Sequence, residues 1–334
     1  MTAERSAREK PELGGYFGLD LPEFTLPFGD FVAVQSGRAA MHAALKASGW
    51  QTVYAPSYIC DSILLAAKTA GLNVALYDLD ERLLPSGVSD RLPQDTGLIY
   101  VNYFGLSQTQ VESVLDRFGP KNVVLDLSQS LFAPRSSALA DVYSPRKFAG
   151  LPDGGLLKTD LEIDLPDGED CGTLERLDHL FLRYGVSARA GYDAFNAARL
   201  SLYDTQPVRM SAITRKMMTS IDWETVRQRR LENFARIDAL LGGSNARSWS
   251  VTAPQAPLCY PYTRTDADIP TIRKALAEEH NIFSPTYWPD VIARAQPGSL
   301  EVAMVNATLF LPIDQRITPD QIDFIADRVL RQLG

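Results

Sequence analysis

Asp141-Val-Tyr-Ser-Pro-Arg-Lys-Phe-Ala-Gly-Leu-Pro-Asp-Gly-Gly155 decides how this chain is read. The run up to Tyr143 is β-branched and aromatic, the composition of a buried strand. Lys147 follows it, and Pro152-Asp-Gly-Gly155 then turns the chain. Upstream, Asn122-Val-Val-Leu-Asp126 is a second apolar run, closed by an aspartate 21 residues before the lysine. Two neighbouring strands that each release one polar residue at the same end aim an ammonium and a carboxylate into one cleft.

Working outward, Phe31–Gln35, Thr52–Ala55, Val74–Tyr77 and Gly97–Asn102 also read as strands, with helices at Arg38–Ala47, Asp61–Ala70 and Gln108–Arg117. This alternation predicts an α/β large domain over residues 31–222, with a mostly parallel, seven-stranded type of sheet covered on both faces. Ligands of such sheets sit at the carboxyl ends of the strands. Ser36, Asn102, Asp126 and Lys147 all lie at or just past such ends. Residues 1–30, broken by Pro and Gly, read as an N-terminal arm, and acidic residues 160–173 as a surface excursion. Residues 174–204, Met210–Ser220 and Trp223–Leu241 read as helical. Residues 223–334 are expected to form a small C-terminal α+β domain, with helices at Ile269–His280 and Pro319–Leu333 and strands near Leu258–Tyr262 and Val305–Leu311.

Composition removes several function classes. A chain of 334 residues suits one large and one small domain. A formal charge of −8 leaves no basic footprint for nucleic acid or an anionic membrane. No apolar run is long enough to span a bilayer, and the first ten residues contain no apolar signal core. Cys60, Cys171 and Cys259 are widely spaced and odd in number, which suits a reducing cytoplasm. His42, His179 and His280 have no metal-ligand spacing, so no metal is expected.

A lysine and an aspartate so placed are what pyridoxal phosphate (PLP) chemistry needs. The lysine forms a Schiff base with the cofactor aldehyde, and the aspartate keeps the pyridine nitrogen protonated. Gln35-Ser-Gly-Arg-Ala-Ala40 is a strand–turn–helix start whose N–H groups and helix dipole favour a phosphate. Arg38 either adds a bidentate contact there or is an exposed arginine at a plain helix start.

These segments resemble the DegT-type sugar aminotransferases, a branch of the fold-type I PLP enzymes, across roughly residues 14–334. Ser36-Gly-Arg-Ala-Ala-Met corresponds to the family's Ser-Gly-Thr-Ala-Ala-Leu phosphate turn, and Ala55-Pro-Ser-Tyr58 to its Val-Pro-Ala-Tyr/Phe strand end. Tyr103-Phe-Gly105 sits where the family has Leu-Tyr-Gly, and Leu125-Asp-Leu-Ser-Gln-Ser130 matches Glu-Asp-Ala-Ala-Gln/His-Ala/Ser. Lys147 to Gly155 fits the lysine with its following acid and two glycines, and Arg209-Met the Arg-Met of Asn-Tyr-Arg-Met. The resemblance implies that Lys147 bonds to PLP and shuttles the proton. It implies that Asp126 pairs with the ring nitrogen and that Gln129 lies against the ring near its phenolic oxygen. Ser36, Gly37, Arg38 and Ala39 would bind the phosphate.

The chain also departs from the family pattern. Cys60 stands where the family has an aromatic residue stacked on the ring, and Val142 where a serine holds the phosphate. Ser144 is the candidate substitute for that serine. The asparagine that reaches the partner subunit's phosphate falls at Pro207. The ring contacts are therefore kept while the phosphate cup is rebuilt. Gly15-Tyr-Phe17, Arg146-Lys-Phe148 and Leu311-Pro-Ile-Asp-Gln-Arg316 mark a divergent subfamily.

The function implied is a PLP-dependent aminotransferase with pyridoxamine phosphate (PMP) as its intermediate form. It would take an amino group from glutamate or a similar donor and give it to a keto sugar, nucleotide-linked. A PLP lyase or dehydratase and a non-catalytic sensor are the alternatives; sugar dehydratases of the family replace the lysine with histidine, which Lys147 opposes. The resemblance also implies a homodimer with shared active sites. Leu200–Met210 mixes Tyr203, Val208 and Met210 with Asp204, Gln206 and Arg209, as an interface rim does. Gln206 or Arg209 would reach across in place of the missing asparagine.

Overall fold

The computed structural model describes residues 13–333. Ten strands and ten α-helices are found among them. The strands are β1 Val32–Val34, β2 Thr52–Pro56, β3 Asn73–Leu79, β4 Pro85–Ser86, β5 Thr96–Val101, β6 Val123–Asp126, β7 Ala140–Tyr143, β8 Gly155–Thr159, β9 Tyr260–Thr263 and β10 Thr308–Leu311. The helices are α1 Gly37–Ala47, α2 Asp61–Thr69, α3 Gln108–Phe118, α4 Asp178–Gly185, α5 Tyr192–Ser201, α6 Ala212–Thr219, α7 Trp223–Leu241, α8 Ile269–His280, α9 Leu300–Asn306 and α10 Pro319–Leu333.

Eight strands form one sheet in the order β1-β8-β7-β6-β5-β2-β3-β4. β7, β6, β5, β2 and β3 run parallel, while β8 is antiparallel to both of its neighbours. Without the two-residue edge strand β4, this is the seven-stranded sheet expected from the sequence. β5 and β6 are buried at every residue, so they are continuous apolar runs rather than alternating ones. β9 and β10 pair antiparallel in a second sheet. Helices α7, α8 and α10 pack against this second sheet or one another, and the Phe234 and Tyr260 rings meet with 5.3 Å between centroids.

Side-chain caps fix five of the helix starts. Ser36, Ser211, Asp222, Asp268 and Ser299 each accept an N–H from the first turn of α1, α6, α7, α8 and α9. None of the helices among the described residues is long and apolar enough to cross a membrane.

Some expectations from sequence change. Residues 174–204 are not one helical stretch: α4 and α5 are separated at Val186–Gly191, where glycines at 185 and 191 flank the break. The expected strand Val305–Leu311 begins only at Thr308. Before it, Glu301, Met304 and Val305 are buried with helical spacing in α9. Strand β8 was not legible at all behind its two glycines. Of the arm, residues 1–12 lie outside the described residues. Leu13, Tyr16 and Phe17 are exposed, whereas Phe24 donates its N–H to Thr219 O at 2.7 Å and Phe28 packs edge-on against Trp223.

Candidate active site

Asp126 is the last residue of β6, and its register partner on β7 is Val142. Pro145 opens a single 3-10 turn after β7, and that turn delivers Lys147 back toward β6. Lys147 Nζ donates to Ser128 Oγ at 2.8 Å, and the Ser128 N–H donates to Asp126 Oδ1 at 2.9 Å. Lysine and aspartate, separated by 21 residues in sequence, are thus joined through one serine. Asp126 and Ser128 are buried. Lys147 keeps contact with solvent but is closely surrounded by protein. Desolvation lowers its pKa; the charges of Asp126 and Cys60 oppose this, and those of Arg146 and Arg38 reinforce it.

Gln129 is fully buried. Its Oε1 accepts the Phe104 N–H at 3.1 Å, while its Nε2 has no partner among the described residues. The carbonyl end therefore holds the Tyr103-Phe-Gly105 turn, in which Phe104 adopts φ 58°, and the amide end is left as a free donor.

The turn before α1 is built by two distant segments. Ser36 Oγ accepts the Ala39 N–H at 3.1 Å, so this side chain serves as a helix cap. Gly154 donates its N–H to Gln35 O at 2.8 Å with φ +111°. A Cβ on Gly155 would lie 2.2 Å from Ser36 C and O, so only glycine allows β8 to start here. A Cβ on Gly37 would lie 3.3 Å from Ser144 Cβ, which puts the buried Ser144 hydroxyl beside the turn. The double glycine of the opening motif is thus a packing surface for the Ser36-Gly37 turn. Asp153, just before it, is a buried anchor: Arg176 Nη1 and Thr173 Oγ1 each donate to its Oδ2 at 2.8 Å, and Thr214 donates to Oδ1.

Arg38 turns its guanidinium to the segment just after α5. It donates to Leu202 O and lies 4.4 Å over the Tyr203 ring, with Nε buried and unpartnered. Arg146 makes no hydrogen bond among the described residues, and burial, with Arg38 nearby, pushes its pKa down to about 10. Cys60 stands at the N-terminus of α2, half-buried, and accepts from Ser62 Oγ at 3.0 Å. Arg294 holds this loop by donating to Ser57 O at 2.8 Å, to Ile59 O and to Asp61.

Arg209 is not beside Lys147 within the chain. Residues 208–210 pair with the outer edge of β1, through Gln35 N–H to Val208 O and Met210 N–H to Ala33 O, both at 3.1 Å. Four strand spacings separate that edge from β6, about 19 Å. The Arg209 side chain is exposed.

Three contacts were missed from sequence. Ser128 occupies an alanine position of the family pattern, and that departure was its only signal. Arg230 of α7 and Gln315 both donate to Phe148 O, at 3.3 and 2.8 Å, and Arg230 also reaches Leu258 O at 2.9 Å. Gln315 lies in the Leu311–Arg316 stretch, which had no assigned role.

No protein-family model matches the sequence, and no curated protein does. Solved structures do. TlmJ from Streptoalloteichus hindustanus, an aminotransferase, is 17% identical with TM-score 0.63 over 91% of this chain and 85% of that one. CalS13 from Micromonospora echinospora, a sugar aminotransferase, is 17% identical with TM-score 0.57 over 90% and 86%. The chain shares the fold of these two aminotransferases. NtdA from Bacillus subtilis, solved with bound cofactor PMP, is 14% identical with TM-score 0.60 over 91% and 73%. Within that aminotransferase fold, the Lys147–Ser128–Asp126 chain lies at the carboxyl ends of β6 and β7, where open α/β sheets bind ligands.

Proposed function

We propose that this chain is a PLP-dependent aminotransferase that moves an amino group from an amino acid to a keto sugar, nucleotide-linked. The observation that carries the reading is the hydrogen-bonded chain from Lys147 Nζ through Ser128 to Asp126. The residues fit the cofactor. A buried amide donor on Gln129, an arginine at 146 without a hydrogen-bond partner and a capped helix N-terminus beside Ser144 are what a polar aromatic phosphate would satisfy. That PMP is bound in NtdA supports the same cofactor here.

PLP, when bound, supplies the electron sink that makes the carbon–hydrogen bond beside the substrate nitrogen acidic. Lys147 Nζ would bond to the cofactor aldehyde and, when free, would be the group that takes and returns the substrate proton. A lowered pKa keeps more of that amine neutral and ready for both tasks. Asp126 would accept the ring-nitrogen proton's hydrogen bond and so hold that proton in place. Gln129 Nε2 would donate to the ring oxygen, and the backbone N–H groups of Gly37, Arg38 and Ala39, with Ser144 and Arg146, would receive the phosphate, the Arg38 guanidinium being engaged with Leu202 and Tyr203. Cys60 would border the ring, where a thiol cannot stack as an aromatic side chain does.

We further infer a homodimer. Phe181, Tyr184 and Tyr192, at 61, 96 and 61% exposure, put apolar surface on α4 and α5 that a second copy would cover. Arg209, far from its own Lys147, would then serve the partner's pocket. The division into residues 31–222 and 223–334 belongs to the same reading.

The test is direct. Protein incubated with PLP and reduced with borohydride should carry the cofactor on the peptide containing Lys147, and amino transfer should vanish in Lys147→Ala. Label on another lysine, or normal turnover by Lys147→Ala, refutes the assignment.

A further inference from the structure

We propose that Ser128 is a catalytic residue whose hydroxyl holds the Lys147 amine whenever that amine is not bonded to the cofactor. The inference rests on the aminotransferase reading of Lys147. Lys147 Nζ is free for as long as the substrate nitrogen occupies the cofactor carbon, and the freed amine must stay within reach of the carbons whose proton it moves. A lysine side chain carries about 2 kcal/mol of rotamer entropy, so a freed amine with no partner would wander. Ser128 Oγ receives Nζ at 2.8 Å, within normal hydrogen-bond length.

The hydroxyl itself is well fixed. Ser128 is 7% exposed, and its N–H is held by Asp126 Oδ1 at 2.9 Å. That turn needs only a backbone N–H at position 128, so alanine would form it equally well. The serine side chain is therefore not required by the turn, and its one described hydrogen bond is the one from Lys147. Alanine at this position would match the family pattern given above and leave the amine without this acceptor. The contact also places Nζ on the same short segment that carries the ring-nitrogen carboxylate, so one turn registers both groups.

Accepting from Nζ favours the ammonium over the neutral amine, because only the charged form donates from all three hydrogens at full strength. Removing the acceptor should therefore lower the pH at which Lys147 becomes nucleophilic. The experiment uses cofactor-free full-length protein, competitively acetylated with acetic anhydride across a pH series, with Lys147 modification read by peptide mass. Ser128→Ala should move the midpoint down by about one unit. Ser128→Thr, which keeps a hydroxyl, should stay near wild type. With PLP loaded, Ser128→Ala should lose about tenfold in kcat with KM for the amino donor unchanged, the scale of one hydrogen bond to a charged group.

A midpoint and kcat equal to wild type in Ser128→Ala would overturn the proposal. So would equal losses in Ser128→Ala and Ser128→Thr, which would mark a packing effect. Failure of the underlying reading looks different: borohydride label would fall on a lysine other than Lys147, whatever Ser128→Ala does to the acetylation midpoint.

Discussion

Gly155→Ala isolates the contact on which the phosphate turn depends. The new Cβ would lie 2.2 Å from both Ser36 C and Ser36 O, and 2.5 Å from Gly37 N. Ordinary carbon contacts are near 3.5 Å, so about 1.3 Å of separation must be found. Both sides of the clash are backbone. Gly155 is in register with Val34 of β1, and β8 is hydrogen-bonded on both edges, so neither side can yield cheaply. We place the cost at the upper end of overpacking, about 3 kcal/mol, which for a chain of this length corresponds to roughly 4 °C in Tm. The shift falls on the Ser36-Gly37 turn, so PLP affinity should also fall, by about tenfold or more. Gly97→Ala is the control: its Cβ would lie 2.2 Å from the far ring carbons of Trp50, a half-buried side chain that can move. It should cost less stability and leave PLP affinity alone. Thermal melting and equilibrium dialysis against PLP read both quantities. A Gly155→Ala protein with wild-type Tm and wild-type PLP affinity would refute the packing argument.

Asp126→Asn preserves size but removes the charge opposite the ring nitrogen; transamination should fall by at least about a hundredfold, close to 3 kcal/mol, while the melting curve moves little. Because desolvation lowers the Lys147 pKa, its bonding to PLP aldehyde should speed up as pH rises, with a midpoint below the ordinary 10.5. Asp126 acts in the opposite direction, so stopped-flow absorbance on Asp126→Asn should give a still lower midpoint. Asp153→Ala leaves Arg176 with only Asp170 of its two carboxylates, and denaturant unfolding should show a loss of about 3–5 kcal/mol. Sedimentation at working concentration should give about twice the 36.9 kDa chain mass. Mixed Lys147→Ala and Arg209→Ala chains should recover part of the activity through one intact hybrid site; verified heterodimers without recovery would rule out a shared site.

The sheet was legible because its central strands are buried on both faces and therefore stand out as unbroken apolar runs. Asp126 was legible as a charge that ends such a run, and Lys147 from its place between the run ending at Tyr143 and the Pro152-Asp-Gly-Gly155 turn. Ser128 was not, since serine two residues after an aspartate reads as an ordinary turn former, and only the fold brings a lysine to it. Strand β8 was hidden because the two glycines that let it approach Ser36 also erase its strand signature. The direction of Arg38 could not be read either. A side chain with four rotatable bonds goes where a carbonyl and an aromatic ring receive it, and Leu202 and Tyr203 lie more than 160 residues away in sequence. The helix at 300–306 was misread because Val302 and Val305 favour strand by type, while the burial of 301, 304 and 305 follows the helical period.

The grip on Phe148 O has a consequence for how the molecule opens. Both donors to this carbonyl, Arg230 and Gln315, come from beyond residue 222, and the Arg230 guanidinium also lies 4.7 Å over the Phe148 ring. The carbonyl's two lone pairs are thereby both engaged from the C-terminal side. By chain order the lysine turn follows β7; by its bonds it is fastened to α7 and the loop after β10. In hydrogen exchange, the amides around Lys147 should open together with α7 rather than with the neighbouring strands of the sheet. The nucleophile then belongs to the same cooperative unit as α7, and any loosening of that unit slackens the lysine before the sheet beneath it changes.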